Sequence, residues 1–209
     1  MMGQTLIIAN LRYIKPKRTG RGQGTKGLRS MLKYLQYRND RQGHIPSGSQ
    51  DRWVDRGLGL HHQAILKSCT DLTSREVLAW TYVISPEPDL MALIPEKERR
   101  PFIQALTEDI IEGYYAERGC TAPYAYVVHE ALTQDGRPHT HTHVILPGTA
   151  RDDLEGWQPF TNFRSKGHLM LLDRIANGEL TQALNFKIGL GWQGEYDVQA
   201  ALSTTIGRN

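Results

Sequence analysis

The chain has 209 residues, 39% of them hydrophobic and 22% charged, which is enough apolar material for one core and argues against wholesale disorder. No window reaches the roughly 18 uninterrupted apolar residues of a transmembrane helix. The formal net charge of +3 is unevenly spread: Arg12–Arg41 carries ten basic residues against one acid, Asp40, and the other 179 residues sum to −6.

The opening MMGQTLIIANLRYIKPK places apolar residues before basic ones, the reverse of a secretory signal. Gln4–Ile14 reads as a first strand, followed by a Gly/Lys/Arg loop to Gly27. Glycines 20, 22, 24 and 27 interleave its charges, so residues 12–27 read as a flexible basic arm. Clustered Lys and Arg release counterions from a nucleic-acid backbone, which makes Arg12, Lys15, Lys17, Arg18, Arg21 and Lys26 candidate nucleic-acid-binding residues, the other reading being a solvated basic tail. Leu28, Met31, Leu32 and Leu35 fall on one helical stripe, and that helix is expected to end near Arg38. Polar Asn39–Arg56, with Gly43, Pro46 and Gly48, reads as loop.

Leu58–Leu66 and Val77–Ser85 read as two strands joined by Thr70–Arg75, the second ended by Pro86 and Pro88. A long helix is expected from Pro101, suited to a first turn, to Arg118, with Gly119 as its stop. Ala125–Glu130 and Thr140–Leu146 read as strands around the turn Thr133–Pro138, and Lys166–Leu184 as a last helix before an irregular tail. Five strands and three helices predict an α+β single domain: a central five-stranded, mainly antiparallel sheet layered on one side by helices, over residues 1–185, with 186–209 as a tail. Cys69 and Cys120 lie 51 positions apart without a pairing motif, which fits a reducing cytoplasm.

His139, His141 and His143 alternate along one strand, so their imidazoles share a face. At about 3.3 Å per residue the outer two have Cα atoms about 13 Å apart, too far for a comfortable shared ion, so the strand supplies an adjacent pair. His141 and His143 are the favoured pair, because Pro138 leaves His139 at the strand entrance; the register His139/His141 stays open. A hairpin would bring His129 alongside as third ligand, with Glu130 as a further ligand or an orienting acceptor. His61 and His62, adjacent and on opposite sides of their expected strand, are read as structural or substrate-lining. Three neutral nitrogens leave open positions on an ion, the catalytic pattern.

A zinc hydrolase would use bound water and a phosphodiester-cleaving enzyme could use a side-chain hydroxyl; no tyrosine lies between Val127 and Glu195, so the helix after the histidine strand cannot supply a tyrosine. On the helix after the basic arm, Tyr34 lies about 110° from the centre of the apolar stripe and Tyr37 about 170°. Tyr34 is the better candidate, bordering the packed face while Tyr37 points outward.

This pattern resembles the relaxase domain of conjugative and mobilisable plasmids, a branch of the HUH endonucleases. The carrying residues are Leu32-Lys-Tyr34-Leu35, then Tyr82-Val-Ile-Ser85, Val127-Val-His129-Glu130 and His141-Thr-His143-Val-Ile-Leu146, in the family's order. The similarity covers about residues 5–147. Thr142 stands where the family's paired histidines flank a bulky hydrophobe. The resemblance implies a palm-like HUH fold, a divalent ion (Mg²⁺ or Mn²⁺) on His129, His141 and His143, and single-stranded DNA at an origin of transfer or replication. It also implies accessory relaxosome proteins as partners. Tyr34 would attack the scissile phosphate, giving a 5′-phosphotyrosyl enzyme and a free 3′-OH, while Trp53, Trp157 or Phe160 could stack bases. The alternatives are a replication initiator or transposase of the same superfamily, a metal-dependent hydrolase with a basic tail, and an inactive nucleic-acid-binding module.

Overall fold

The computed structural model describes residues 6–16, 24–41, 53–152, 154–160 and 166–194. In chain order its elements are β1 (Ile7–Ile14), α1 (Gly24–Arg41), β2 (Trp53–Arg56), α2 (His62–Asp71), β3 (Ala79–Pro86), α3 (Pro88–Ala92), α4 (Glu96–Arg118), β4 (Cys120–Thr121), β5 (Tyr124–Leu132), β6 (Pro138–Pro147), β7 (Thr149–Asp152), β8 (Gly156–Pro159) and α5 (Lys166–Ile188). Five strands form the central sheet in the order β1-β3-β6-β5-β2, with every pairing antiparallel. The class is α+β, and β6 lies in the middle.

Alternation along the strands sorts side chains onto two faces. Trp80, Tyr82, Ile84, Tyr126, Val128 and Val144 pack under α3, α4 and α5 in the larger core. Ile14, Trp53, Ala79, Ala125, Val127 and Ile145 pack under Leu28, Leu32 and Leu35 of α1 and Ile65, Leu66 and Cys69 of α2. Helices therefore cover both faces of the sheet, and the expected one-sided layer is corrected. Cys69 and Cys120 are free thiols, and burial pushes that of Cys69 up to about 12. No helix among the described residues is long and apolar enough to cross a membrane.

Several expected elements shift. Leu58–Leu66 is not a strand. Gly57 and Gly59, at φ +90° and +136°, turn the chain, and His62, Ile65, Leu66 and Cys69 form the buried stripe of α2 instead. His61 is the N-cap, accepting the Ala64 N–H through Nδ1 at 3.3 Å. The sheet's remaining strand is β2, a four-residue edge strand inside the stretch read as loop. Helix α1 starts at Gly24, so Gly24 and Gly27 belong to a helix, while Lys17, Arg18 and Arg21 lie outside the described residues. Pro101 sits inside α4, which begins five residues earlier, and Gly119 ends it in the left-handed region at φ +61°. Helix α5 continues to Ile188, and Trp192 beyond it is buried, its Nε1–H donating to Asn185 Oδ1 at 2.9 Å. A second, three-stranded sheet, β4-β7-β8, adjoins the first.

Between β6 and β7, Gly148 lies so close to the 74–77 turn that a Cβ there would stand 1.9 Å from the Val77 carbonyl oxygen. That oxygen already accepts the Ser74 N–H at 2.9 Å, so the backbone has little room to yield. Gly148→Ala should lower the unfolding free energy by about 3 kcal/mol, the upper range for overpacking, read from the urea midpoint at unchanged m-value.

Candidate metal centre and the open sheet face

The histidines come together because two neighbouring strands pair in one register. In the β5–β6 hairpin His129 stands opposite His141, and Val127 opposite His143. The hairpin closes through 133–137: the Thr133 N–H donates to the Arg137 carbonyl, the Arg137 N–H to Thr133 Oγ1, both at 2.9 Å, and Gly136 supplies φ +82°. The ring centroids of His129, His141 and His143 lie 4.9, 5.2 and 5.5 Å apart. One ring nitrogen from each falls within 4.8 Å of the others. His129 and His141 are buried and His143 is partly so.

Hydrogen bonds set the tautomers. His129 Nε2 lies 3.0 Å from the Leu35 carbonyl oxygen. A carbonyl can only accept, so Nε2 carries the proton and Nδ1 the lone pair. His141 Nδ1 donates in the same way to the His139 carbonyl at 3.3 Å, leaving Nε2 as its lone-pair nitrogen. Backbone acceptors of this kind orient metal-binding imidazoles and raise their basicity. Three neutral imidazoles suit a divalent transition ion.

The remaining expected residues divide. His139 reaches Ser85, with Oγ and Nε2 3.1 Å apart, and stacks on His141 at 4.5 Å; it stands outside the three-nitrogen cluster. Glu130 points to the opposite face, where it pairs with Arg100 at 3.1 Å, which corrects its reading as a ligand or orienting acceptor. Thr142 also faces away. Its hydroxyl donates to Thr107 Oγ1 at 2.9 Å, because the Thr107 proton is already given to the Ile103 carbonyl. A buried hydroxyl pair thus fills the place between the two histidines. Trp53 and Phe160 are core residues and cannot stack bases; Trp157, half exposed, remains accessible.

Tyr34 and Tyr37 are 45% and 42% exposed, so the expected contrast between a bordering and an outward tyrosine is not seen. Their surroundings separate them instead. Tyr34 adjoins Leu35, whose carbonyl is bonded to His129, whereas the Tyr37 ring meets His62 edge-on at 6.1 Å.

Arg12 is exposed on the histidine face of β1, and Lys15 follows that strand, its carbonyl accepting the Gly24 N–H at 3.0 Å. The registers put Asn10 in line with Val83 and His143, and Ile8 beside Ser85. Ile8, Asn10 and Arg12 are exposed, so the sheet beside the histidines lies open. Asn10 and Ile8 were missed because β1 carries no motif; only the strand register makes them neighbours of the site.

Among solved structures, the chain is similar to the conjugative relaxase TrwC in complex with oriT DNA. Its metal-bound structure gives a TM-score of 0.54 at 14% identity over 85% of this chain and 70% of that one. The complex with a 27-mer DNA holding the recognition hairpin and cleavage site gives 0.55 at 12% identity over 85% and 69%. The metal-free complex gives 0.53 at 13% identity over the same shares. The chain has the relaxase fold. No protein-family model matches the sequence, and no curated protein matches it. Within this relaxase fold His141 and His143 lie on the central strand β6 and His129 on its neighbour β5.

An ion that binds the folded chain alone raises its stability by mass action. Millimolar Mn²⁺ or Co²⁺ should therefore raise the melting temperature of the wild-type chain, and EDTA should reverse the rise. His129→Ala, His141→Ala and His143→Ala should each lose the rise, while His139→Ala should keep most of it. A rise that disappears equally in His139→Ala would move the pair to His139/His141.

Proposed function

We propose that the protein is a metal-assisted DNA strand nickase and strand transferase of the relaxase type, acting on single-stranded DNA. The observation that carries this reading is the three-nitrogen cluster on the open sheet face, bonded through Leu35 to the helix turn that bears Tyr34. The relaxase fold supports it. His129, His141 and His143 would hold the ion. Bound there, a divalent ion supplies positive charge to the non-bridging oxygens of a scissile phosphate. Among the two ions the resemblance implies, the nitrogen donor set favours Mn²⁺, since Mg²⁺ takes oxygen ligands in a strict octahedron.

Tyr34 is the proposed nucleophile. Its phenolic oxygen forms a bond to phosphorus as the bond to the 3′ oxygen breaks. The phenol loses a proton and the departing 3′ oxygen gains one, leaving a 5′-phosphotyrosyl enzyme and a 3′-OH. The covalent link conserves the phosphodiester energy for rejoining. Arg12 and Lys15, with Lys26 at the start of α1, are proposed to hold the DNA backbone together with Lys17, Arg18 and Arg21.

Tyr34→Phe removes one oxygen from an exposed side chain, so the fold and DNA affinity should persist. Strand cleavage and the covalent adduct should fall together by about 10³-fold or more, and Tyr37→Phe should retain most activity. Denaturing gels with single-stranded oligonucleotides and Mn²⁺ read both. An adduct that survives in Tyr34→Phe would move the role to another tyrosine; cleavage without any adduct would make water the nucleophile and the protein a hydrolase.

Neutralising Lys15, Lys17, Arg18 and Arg21 should weaken DNA binding and flatten the slope of log affinity against log salt by about 0.7 for each lost single-strand contact. Fluorescence anisotropy across 50–200 mM NaCl measures this, and an unchanged slope would leave the arm without a binding role.

A further inference from the structure

A cleft of about 530 Å³ opens between α1 and α2, and no member of the histidine cluster lines it. Helix α1 contributes Thr25, Arg29 and Lys33, four residues apart and so on one stripe. Helix α2 contributes His62, Lys67 and Asp71. Three cations therefore meet one carboxylate, and that carboxylate is engaged by Lys67 at 2.5 Å.

His62 forms part of the wall and is 8% exposed. Its backbone N–H and its Nδ1 both lie 2.9 Å from Gln36 Oε1, an acceptor, so Nδ1 carries the ring proton. Nε2 is then a buried lone-pair nitrogen with no hydrogen-bond partner among the described residues. Buried polar atoms in native proteins are normally satisfied, and the residue that bears this orphan lines the cleft. Burial, then Lys33, His61 and Arg29, hold this imidazole below its ordinary pKa. An anion between the same cations offsets that repulsion and lets Nε2 take a proton and donate.

We propose that the α1–α2 cleft is a phosphate-binding site, in which Arg29, Lys33 and Lys67 surround the phosphate oxygens and His62 Nε2–H completes the donor set. Two sources carry this chemistry. One is a phosphodiester of a DNA strand that continues across α1 from the histidine face, which rests on the proposed function. The other is inorganic phosphate or a free nucleotide, which does not.

The test compares the full wild-type chain with Arg29→Gln/Lys67→Gln. Both side chains are exposed, so the variant keeps its fold, checked by circular dichroism. In the first arm, inorganic phosphate is titrated while ¹H–¹⁵N NMR follows the His62 imidazole. The resonance should move in the wild type, with affinity at least about tenfold weaker in the variant. In the second arm, mixed-sequence single-stranded oligonucleotides are bound at increasing salt, and the variant's slope should be shallower by about 1.4, two single-strand contacts. A shallower slope assigns the site to a strand backbone. A phosphate response lost without a change in slope assigns it to a small phosphate compound. Wild type and variant behaving alike in both arms overturns the proposal. Neither arm needs cleavage, so a chain that binds in both but forms no tyrosyl adduct overturns only the nuclease reading.

Discussion

A hydrogen bond from His129 to the carbonyl of Leu35 joins the packing of the chain to its chemistry. Leu35 is interior to α1, and Leu28, Leu32 and Leu35 press that helix into the smaller core against Ile14, Ala79 and Ile145. The core thus fixes the height of one backbone carbonyl above the sheet. That carbonyl fixes which nitrogen of His129 holds the proton, and the tautomer decides which nitrogen is offered to a metal. A shift of α1 by one residue would carry the carbonyl away and leave a buried imidazole N–H unsatisfied, at a cost of about 1–3 kcal/mol. Helix position and ligand chemistry are therefore set together.

Strand β6 has two separate duties, divided by the pleat. Its odd-numbered residues present the histidines; its even-numbered residues, Thr142, Val144 and Leu146, enter the larger core. Slipping by one residue would exchange the two sets, burying imidazoles among Tyr82, Tyr126 and Ile84 and exposing aliphatic side chains. Several contacts oppose such a slip. The Thr142–Thr107 hydroxyl pair ties the strand to α4, and Arg137, at the hairpin tip, reaches Asp89 of α3 at 2.9 Å. His139 is held against Ser85 of β3 and stacks on His141, so it buttresses that ring without joining the cluster.

The parts legible in the sequence were those with strong, long periodicity. Three histidines at a spacing of two share one face when they lie on a strand, and a fourth is expected to lie alongside through a hairpin. The Leu28/Met31/Leu32/Leu35 stripe likewise gave α1, although not its first turn, because Gly24 and Gly27 read as loop. Short or mixed signals failed. Leu58–Leu66 holds enough apolar residues for a strand, but Gly57 before it and Gly59 within it, both at positive φ, and the longer stripe through Cys69 make helix the better burial. Strand β2 has four residues and depends on β5 for its conformation, as β4, β7 and β8 depend on one another. Pro101 suggested a helix start because its lost N–H costs nothing in a first turn; Pro95 and Glu96 supply an earlier one. For Tyr34 and Tyr37 a helical wheel gives an angle to the stripe but not the neighbour on either flank, and the neighbour is what separates them.

Helix α1 is the element on which the remaining features converge. Its entry is pinned where the Gly24 N–H meets the Lys15 carbonyl, so the basic residues on both sides of the 17–23 segment keep a fixed separation. Along its length lie Arg29 and Lys33 at the α2 cleft, then Tyr34, then the carbonyl that holds His129. A helix of 18 residues is stiff over that distance, so the Arg29 and Lys33 charges, the Tyr34 hydroxyl and the Leu35 carbonyl cannot drift independently as they would on loops. Exposed cations are screened within about 8 Å at physiological salt, which makes each one weak alone. On the proposed function, their arrangement along a rigid helix lets them meet successive charges of one polyanion without further ordering of the backbone. The entropy of placing them is met during folding, by the leucines of the smaller core, rather than on binding.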